Sequence, residues 1–445
     1  MKNIQRSLVG ILLGLSLLWC LADGTEWASV PHFFAWRTLL MQWTGVLAIG
    51  VMSVAILLAL RPVWLEPWLG GLDKMYRLHK WLGIAGLVLA IGHWLLSEAP
   101  KWLVELGWLT KPARGARPAL PEDALVQRFL AGQRHLAENI GEWAFYATVL
   151  LLTLALLKRF PYRYFFKTHR WISLAYLALV WHSVVLLQWS YWASPLGLVL
   201  ALLLLGGSVA TVLVLLRRVG HQRKAVGEVA AVRHFAALKV VELDIALHHR
   251  WSGHQAGQFA FVTLHPEEGP HPFTISSAWT GDGHITFIIK ALGDYTNTLA
   301  QRVQVGQDVE LEGPYGQFQF QGAATRQIWI GAGIGITPFI ARMQTLAEQP
   351  DGKTIDLFHT TAVYEDEAIA LLEQAARAAG VALHVYWDQR DGRLDAARIV
   401  AAVPQWQEAD VWFCGPAAFG QALQRDCLAL GLPAQRFHQE LFAMR

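Results

Sequence analysis

The chain has 445 residues, 54% of them hydrophobic, with a mean hydropathy of +0.31 and a formal charge of +3. These values fit neither a single soluble domain nor a wholly membrane-embedded protein, and with no basic tract they give no reason to expect a nucleic-acid partner. Three scattered cysteines, Cys20, Cys414 and Cys427, offer no disulfide framework, zinc spacing or four-cysteine iron–sulfur set.

The first half carries six long apolar runs, at residues 7–22, 39–60, 81–97, 140–157, 171–190 and 195–216. Each is close to the roughly 20 residues a spanning helix needs. The first run has two readings. Lys2 and Arg6 before it and Ala22-Asp23-Gly24 after it also describe a signal peptide. A retained helix is the expectation, because six spans return the second half to the side of the N-terminus.

Short-loop charge orients this bundle. Arg61, Lys74, Arg77 and Lys80 follow the second run, Lys158, Arg159, Arg163, Lys167 and Arg170 the fourth, and Arg217, Arg218, Arg223 and Lys224 the sixth. All fall on one face when both termini are cytoplasmic. The segment 98–139 is also basic yet must lie outside, an objection its length weakens. Most of the 21 tryptophans crowd the apolar half and its edges, as interfacial anchors do.

Four histidines stand in two matched pairs inside these runs. His79 and His93 are fourteen residues apart, and His169 and His182 thirteen. At about 1.5 Å per residue each pair spans roughly 20 Å of helix, most of a bilayer's hydrocarbon depth. Two such helices side by side present one facing pair near each membrane surface, a frame for two bis-histidine haems. A histidine near a helix end is ordinarily a snorkelling or hydrogen-bonded group, but near-equal spacing on two helices is hard to obtain by chance. Fourteen residues return almost to the same helix face while thirteen fall short, so the second helix needs a local distortion. Tyr176, seven residues after His169, is a candidate aromatic between the haems.

After Lys224 the pattern changes to short alternating runs. GEVAAVRHF, LKVVELDI, QFAFVTL, PFTISSA, HITFIIK and QDVELEG predict six strands and a small antiparallel barrel. From residue 326 apolar strands alternate with amphipathic helices, predicting a parallel α/β sheet. Gly331-Ala-Gly333-Ile-Gly335-Ile-Thr337-Pro338 follows a strand and opens a helix, where glycines let backbone approach a pyrophosphate. Its G-x-G-x-G spacing departs from the dinucleotide fingerprint, and a plain tight turn is the other reading. In His271-Pro272-Phe273-Thr274, with Ser276 and Ser277, Phe can stack on a flat ring while Thr and Ser hydrogen-bond its polar edge.

Taken together these residues resemble the NADPH oxidase and ferric reductase superfamily over nearly the whole chain. The histidine spacings, HPFTISSA, IIKALGDYT, EGPYG, IGAGIGITP and FCGP occur in the family's order. The resemblance implies a six-helix bis-haem membrane bundle over residues 1–220, an FAD-binding antiparallel β-barrel over 225–322 and an NAD(P)-binding α/β domain over 323–445. It implies two b-type haems with iron on His79 and His169 and on His93 and His182, plus FAD and NADPH or NADH. His271, Pro272, Phe273, Thr274 and Ser277 would line the flavin, with Lys290 and Thr296 on its phosphate or ribose side. Gly331, Gly333, Gly335 and Thr337 would cradle the nicotinamide cofactor's pyrophosphate, and Cys414, Gly415 and Pro416 would lie near the nicotinamide. Phe442 would cover the isoalloxazine, and Arg37 would stand beside the outer haem, although an interfacial anchor is an equal reading of it.

The implied activity is transfer of electrons from cytoplasmic NAD(P)H to an acceptor across a bacterial inner membrane. O2, giving superoxide, is the favoured acceptor. Ferric chelate, attracted by the basic outer segment, and a periplasmic partner protein are the alternatives. Arg390 is the candidate for a 2′-phosphate, since HTT stands at the end of the second strand where an Arg is expected for NADP. With no calcium-binding loop and no long regulatory extension, no obligatory activator subunit is expected.

Overall fold

The computed structural model describes residues 2–24, 30, 32–110, 121, 124–157, 159–249 and 251–440. The chain divides into two compact units, one of residues 1–62 and 74–219, the other of residues 63–73 and 220 onward.

The first unit is helical: α1 (Lys2–Asp23), α2 (Phe33–Ala59), α3 (Leu72–Glu105), α4 (Arg134–Leu156), α5 (Tyr162–His169), α6 (Trp171–Leu186) and α7 (Pro195–Leu215). Five of these, α1, α2, α3, α4 and α7, are long and apolar enough to cross a membrane. The expected span over 171–190 is a helix only to Leu186, where Leu187 turns extended. Its 16 residues reach about 24 Å, short of the roughly 30 Å hydrocarbon depth. Only Arg170 separates α5 from α6, so the helical path into α6 begins before the apolar run does.

Association of these helices depends on small residues, because lipid tails are as apolar as leucine and packing must supply the attraction. The bare backbone at Gly50 on α2 meets the Leu15 side chain of α1, and that at Gly207 on α7 meets the ring and hydroxyl of Tyr176. Trp19, Val46, Ile49, Met52, Tyr176, Leu200 and Leu204 share the resulting core.

The second unit opens with β1 (Lys224–Phe235), β2 (Val240–His249), β3 (Phe259–Thr263), β4 (His271–Thr274) and β5 (His284–Lys290). Then come α8 (Asp294–Arg302) and β6 (Asp308–Tyr315). All six predicted strands are present, in an antiparallel sheet of order β4-β3-β6-β1-β2-β5. The predicted barrel does not close. Between the edge strands β4 and β5 there is one isolated bridge, Ile275 to Phe287. The cause is local. Strand β4 has four residues, one of them Pro272 with no N–H to donate. Beyond it, Ser277 Oγ accepts from the Thr286 N–H and Ser276 Oγ from the Ile288 N–H, replacing ladder carbonyls.

A parallel sheet follows, made of β7 (Arg326–Ala332), β8 (Thr354–Thr361), β9 (Ala382–Trp387), β10 (Asp410–Cys414) and β11 (Phe437–Gln439) in the order β11-β10-β7-β8-β9. Helices α9 (Thr337–Glu348), α10 (Asp366–Ala378) and α11 (Ala417–Ala429) accompany it. Alternation along β7 feeds two cores, Trp329 with Phe339, Leu357 and Leu372, and Ile328 and Ile330 with Val411, Leu423 and Phe437. The strand order reverses between β7 and β10, and the carboxyl ends of strands at such a switch point form a crevice.

Candidate functional site

The four histidines meet in pairs. His79 and His169 have ring centres 5.9 Å apart, and His93 and His182 6.3 Å. With metal–imidazole bonds of about 2 Å, one metal between two rings holds their centres about 6 Å apart. The thirteen-residue spacing is accommodated at Arg170, because His169 closes α5 while His182 lies on α6.

Hydrogen bonds fix which ring nitrogen carries the proton. His79 Nδ1 lies 2.8 Å from the Ala55 carbonyl and His182 Nδ1 2.8 Å from the Ala137 carbonyl. A carbonyl can only accept, so both Nδ1 atoms donate. Thr44 Oγ1 gives its hydrogen to the Leu40 carbonyl at 2.7 Å and therefore accepts from His93 Nδ1 at 3.0 Å. In these three rings Nε2 is left with its lone pair, the state in which imidazole binds a metal. His169 stacks on Phe165, with centres 4.9 Å apart. The donor set thus suits two bis-histidine irons. Among the described residues no group of three or more His, Cys, Asp or Glu gathers around a metal position.

Two glycines let backbone approach these rings. A β-carbon on Gly141 would run into the His182 ring, and one on Gly45 would stand 3.3 Å from His93 Cε1. Arg37 lies near the same end of the bundle, and its task follows from Pro100. A proline has no N–H, so the helical partner of the Leu96 carbonyl is missing inside α3. Arg37 Nε donates to that carbonyl at 2.6 Å. Tyr176 is turned away into the α2–α6–α7 core, its hydroxyl 2.8 Å from Ser53 Oγ.

In the second unit the His271 and Phe273 rings lie nearly parallel (13°) with centres 6.3 Å apart, on one side of β4. Tyr295 stacks on His271 at 4.5 Å, and its hydroxyl meets His265 Nδ1 at 2.8 Å. Burial pushes the His271 imidazole below its usual pKa, so it offers stacking and hydrogen bonding rather than charge. Pro272 and Thr274 pair with β3, and Thr274 is buried. Thr296 Oγ1 accepts from the Leu292 and Gly293 N–H groups, which shapes the start of α8, a helix end with its positive dipole exposed.

Lys290 extends from the end of β5 to within 3.9 Å of where a β-carbon on Gly333 would stand. It and the Gly333 loop line a cleft of about 320 Å³ with His359 and Thr361. The sequence puts Lys290 with the flavin, whereas the structure points its ammonium at the glycine loop. Gly331 lies at the end of β7, and Gly335 packs so closely on the Cys414 carbonyl that no β-carbon fits. The glycine loop and Cys414-Gly415-Pro416 are therefore the two lips of the switch-point crevice. Thr337 is buried at the first position of α9. Cys414 is buried, and desolvation holds its thiol protonated. Arg390 is forked onto Asp391 with two 2.9 Å bonds. Phe442 lies outside the described residues.

Residues 44–180 match the family of ferric reductase like transmembrane components, and residues 228–319 match an FAD-binding domain family. Two segments of the chain, in this order, thus resemble a ferric reductase-like transmembrane component and an FAD-binding domain. This pairing is consistent with the ferric reductase and NADPH oxidase-type superfamily and supports an oxidoreductase reading of the chain.

The ferric reductase-like match takes in His79, His93 and His169 and ends two residues before His182. A reductase subunit of a stachydrine N-demethylase from Rhizobium meliloti (strain 1021) is 27% identical over 42% of this chain and 58% of its own length. An NADPH oxidoreductase from Mycobacterium tuberculosis is 31% identical over 39% of this chain and 47% of its own. The chain thus spans about half the length of these curated relatives. A solved ferredoxin reductase of a carbazole 1,9a-dioxygenase superposes with a TM-score of 0.42 at 21% identity, over 49% of this chain and 69% of that one.

Sequence reasoning missed Thr44, Gly45, Gly141, Pro100 and His359. A threonine inside the apolar run 39–60 was a signal for the first. The acceptors at Ala55 and Ala137 are backbone carbonyls, which no residue type announces.

Proposed function

We propose that the chain is a transmembrane NAD(P)H oxidase, taking electrons from cytoplasmic NADPH or NADH and delivering them to O2, as superoxide, on the far side of a bacterial inner membrane. Its cofactors are FAD and two b-type haems, its organisation a six-helix bundle over 1–220, a flavin domain over 225–322 and a nicotinamide domain over 323–445. Both termini are cytoplasmic, with α5 and α6 together making the remaining crossing. The observation that carries this reading is the pair of facing imidazole couples, three of whose four rings have Nε2 left open by Nδ1 bonds to helix backbone and Thr44.

FAD, when bound, exchanges a hydride for single electrons, and haem carries one electron at a time. His79 with His169 would hold the inner iron, and His93 with His182 the outer. The Ala55, Ala137 and Thr44 acceptors orient three of those rings and raise their basicity as ligands. His271, Pro272, Phe273 and Thr274 would line the flavin. The start of α8, shaped by Thr296, would face its phosphates. Ser277 supports that surface from behind by tying it to β5. Gly331, Gly333, Gly335 and Thr337 would admit the dinucleotide, Lys290 would neutralise its pyrophosphate, and Cys414-Gly415-Pro416 would border the nicotinamide. Phe442 would cover the flavin ring.

O2 is preferred over an anionic chelate because two cations of the outer segment are already paired. Lys101 meets Glu98 at 2.5 Å and Arg134 meets Glu138 at 2.9 Å, which weakens the pull of that surface on anions. Arg37, engaged on Leu96, supports the outer-haem end of α3. No activator subunit is required in this reading.

The test is the reduced-minus-oxidised spectrum of the purified membrane protein, given NADPH or NADH under nitrogen and then air. Low-spin b-haem bands should rise with nicotinamide and bleach with air, with superoxide detected. Bands that bleach only with ferric citrate identify a chelate reductase, and bands that bleach with neither identify a donor to a periplasmic partner. No haem bands at all would overturn the reading of the four histidines.

A further inference from the structure

In sheets of this winding, the strand ends next to the glycine loop meet the adenosine ribose of the dinucleotide. A carboxylate there accepts from the 2′-hydroxyl of NADH, while a cation takes the 2′-phosphate of NADPH. Here carboxylates occupy that position. Thr360 Oγ1 at the end of β8 donates to Asp388 Oδ1, just past β9, at 3.1 Å. Glu365 lines the same cleft as Gly333, His359 and Thr361, and its Oε2 is buried with no hydrogen-bond partner. The Tyr364 and Trp387 rings, 5.7 Å apart, join the segments that carry Glu365 and Asp388.

Three cations around this cleft are engaged elsewhere. Arg390 grips both oxygens of Asp391, and Asp391 also accepts from the Trp387 N–H at 2.9 Å. Arg390 and that N–H together hold the Asp391 carboxyl below its usual pKa, so the pair stays ionised at neutral pH. Lys290 stands at the glycine loop, where the pyrophosphate rather than the ribose belongs. Arg233, on the opposite wall, faces Glu242 at 3.8 Å.

We infer that this site selects NADH over NADPH, with Asp388 accepting from the ribose and the Arg390–Asp391 fork withholding the cation a 2′-phosphate needs. The inference rests on the parallel sheet being the NAD(P)H site. A 2′-phosphate at this rim would meet Asp388 and Glu365 as like charges, whereas a ribose diol supplies the donors both carboxylates can use.

The experiment is calorimetric titration of the full-length, flavin-loaded protein in detergent with NAD+ and NADP+, alongside kcat/KM for NADH and NADPH. At least ten-fold tighter binding of NAD+ is expected, with the preference in KM rather than kcat. Equal or tighter binding of NADP+ would overturn the inference. The double variant Asp388→Ser with Asp391→Ser frees Arg390 and removes the ribose acceptor. It should raise NADP+ affinity about ten-fold and lower that of NAD+ several-fold, with flavin content unchanged. If this variant keeps the parent's preference, the assignment to these residues is wrong. Should neither nucleotide bind while dithionite still reduces the haems, the underlying reading of the sheet fails, and the inference with it.

Discussion

Gly141 illustrates how a single missing side chain can decide whether a ligand reaches its metal. The His182 ring lies where a β-carbon on that residue would be, and its Nδ1 bonds the Ala137 carbonyl one helical turn earlier on α4. In Gly141→Ala either the ring leaves that bond or α4 and α6 separate, and both move Nε2 away from His93. The variant should lose about half of the bound haem, keep its flavin, and show one b-haem redox transition rather than two on spectroelectrochemical titration. Retention of two haems would show that His182 has room to move. The positions of the four histidines were legible because an imidazole in an apolar run is costly and the repeat is regular. What holds each ring was not. The spacing of thirteen pointed to a distortion, and the structure places it at Arg170; a glycine in a spanning helix reads only as a small residue until its neighbour across the interface is known.

Strands β7 and β8 end together, and His359 links them by donating its Nδ1 hydrogen to the Gly331 carbonyl at 3.0 Å. Burial holds the His359 imidazole at a pKa of about 4, against its ordinary 6.5. Between those two pH values the folded chain binds fewer protons than the unfolded one, so stability is full above the upper value and falls as the pH drops toward the lower. About 2 kcal/mol is lost by pH 5 through this group. Thermal unfolding of flavin-loaded protein, followed by near-ultraviolet dichroism at pH 7 and pH 5, should therefore show a smaller acid-induced fall in Tm for His359→Gln than for the parent. An equal fall would place the acid sensitivity elsewhere. The strands themselves were legible from alternation and apolar runs, and TIDLFHTT coincides with β8. The open seam was not, because the serines at 276 and 277 read as flavin contacts while their oxygens accept β5 amides in place of a backbone ladder. The three-residue strand β11 was also missed, being too short to show a period.

At the scale of the whole molecule, the order of helical part, antiparallel sheet and parallel sheet could be followed along the sequence because each has its own hydrophobic period. The assignment of residues 63–73 could not, because RPVWLEPWLGG reads as a short loop between two spans. In the structure this segment belongs with residues 220 onward, and Glu66, almost wholly buried, accepts from the Gly316 N–H at 3.0 Å. The chain therefore passes from one unit to the other three times, near residues 62, 73 and 219, and no single cut separates them. A fragment that starts at residue 220 would be a domain with a piece of its own fold left behind, its Gly316 amide deprived of a carboxylate. Losing that charge-assisted bond alone costs on the order of 2 kcal/mol. Such a fragment should melt below the corresponding transition of the full-length protein and recover when a peptide of residues 62–73 is supplied or grafted on by a flexible linker. The modularity implied by two separate family matches is thus not a modularity of inheritance by simple fusion: whoever transplants the part from residue 220 onward onto another membrane partner must carry eleven residues from within the helical part with it.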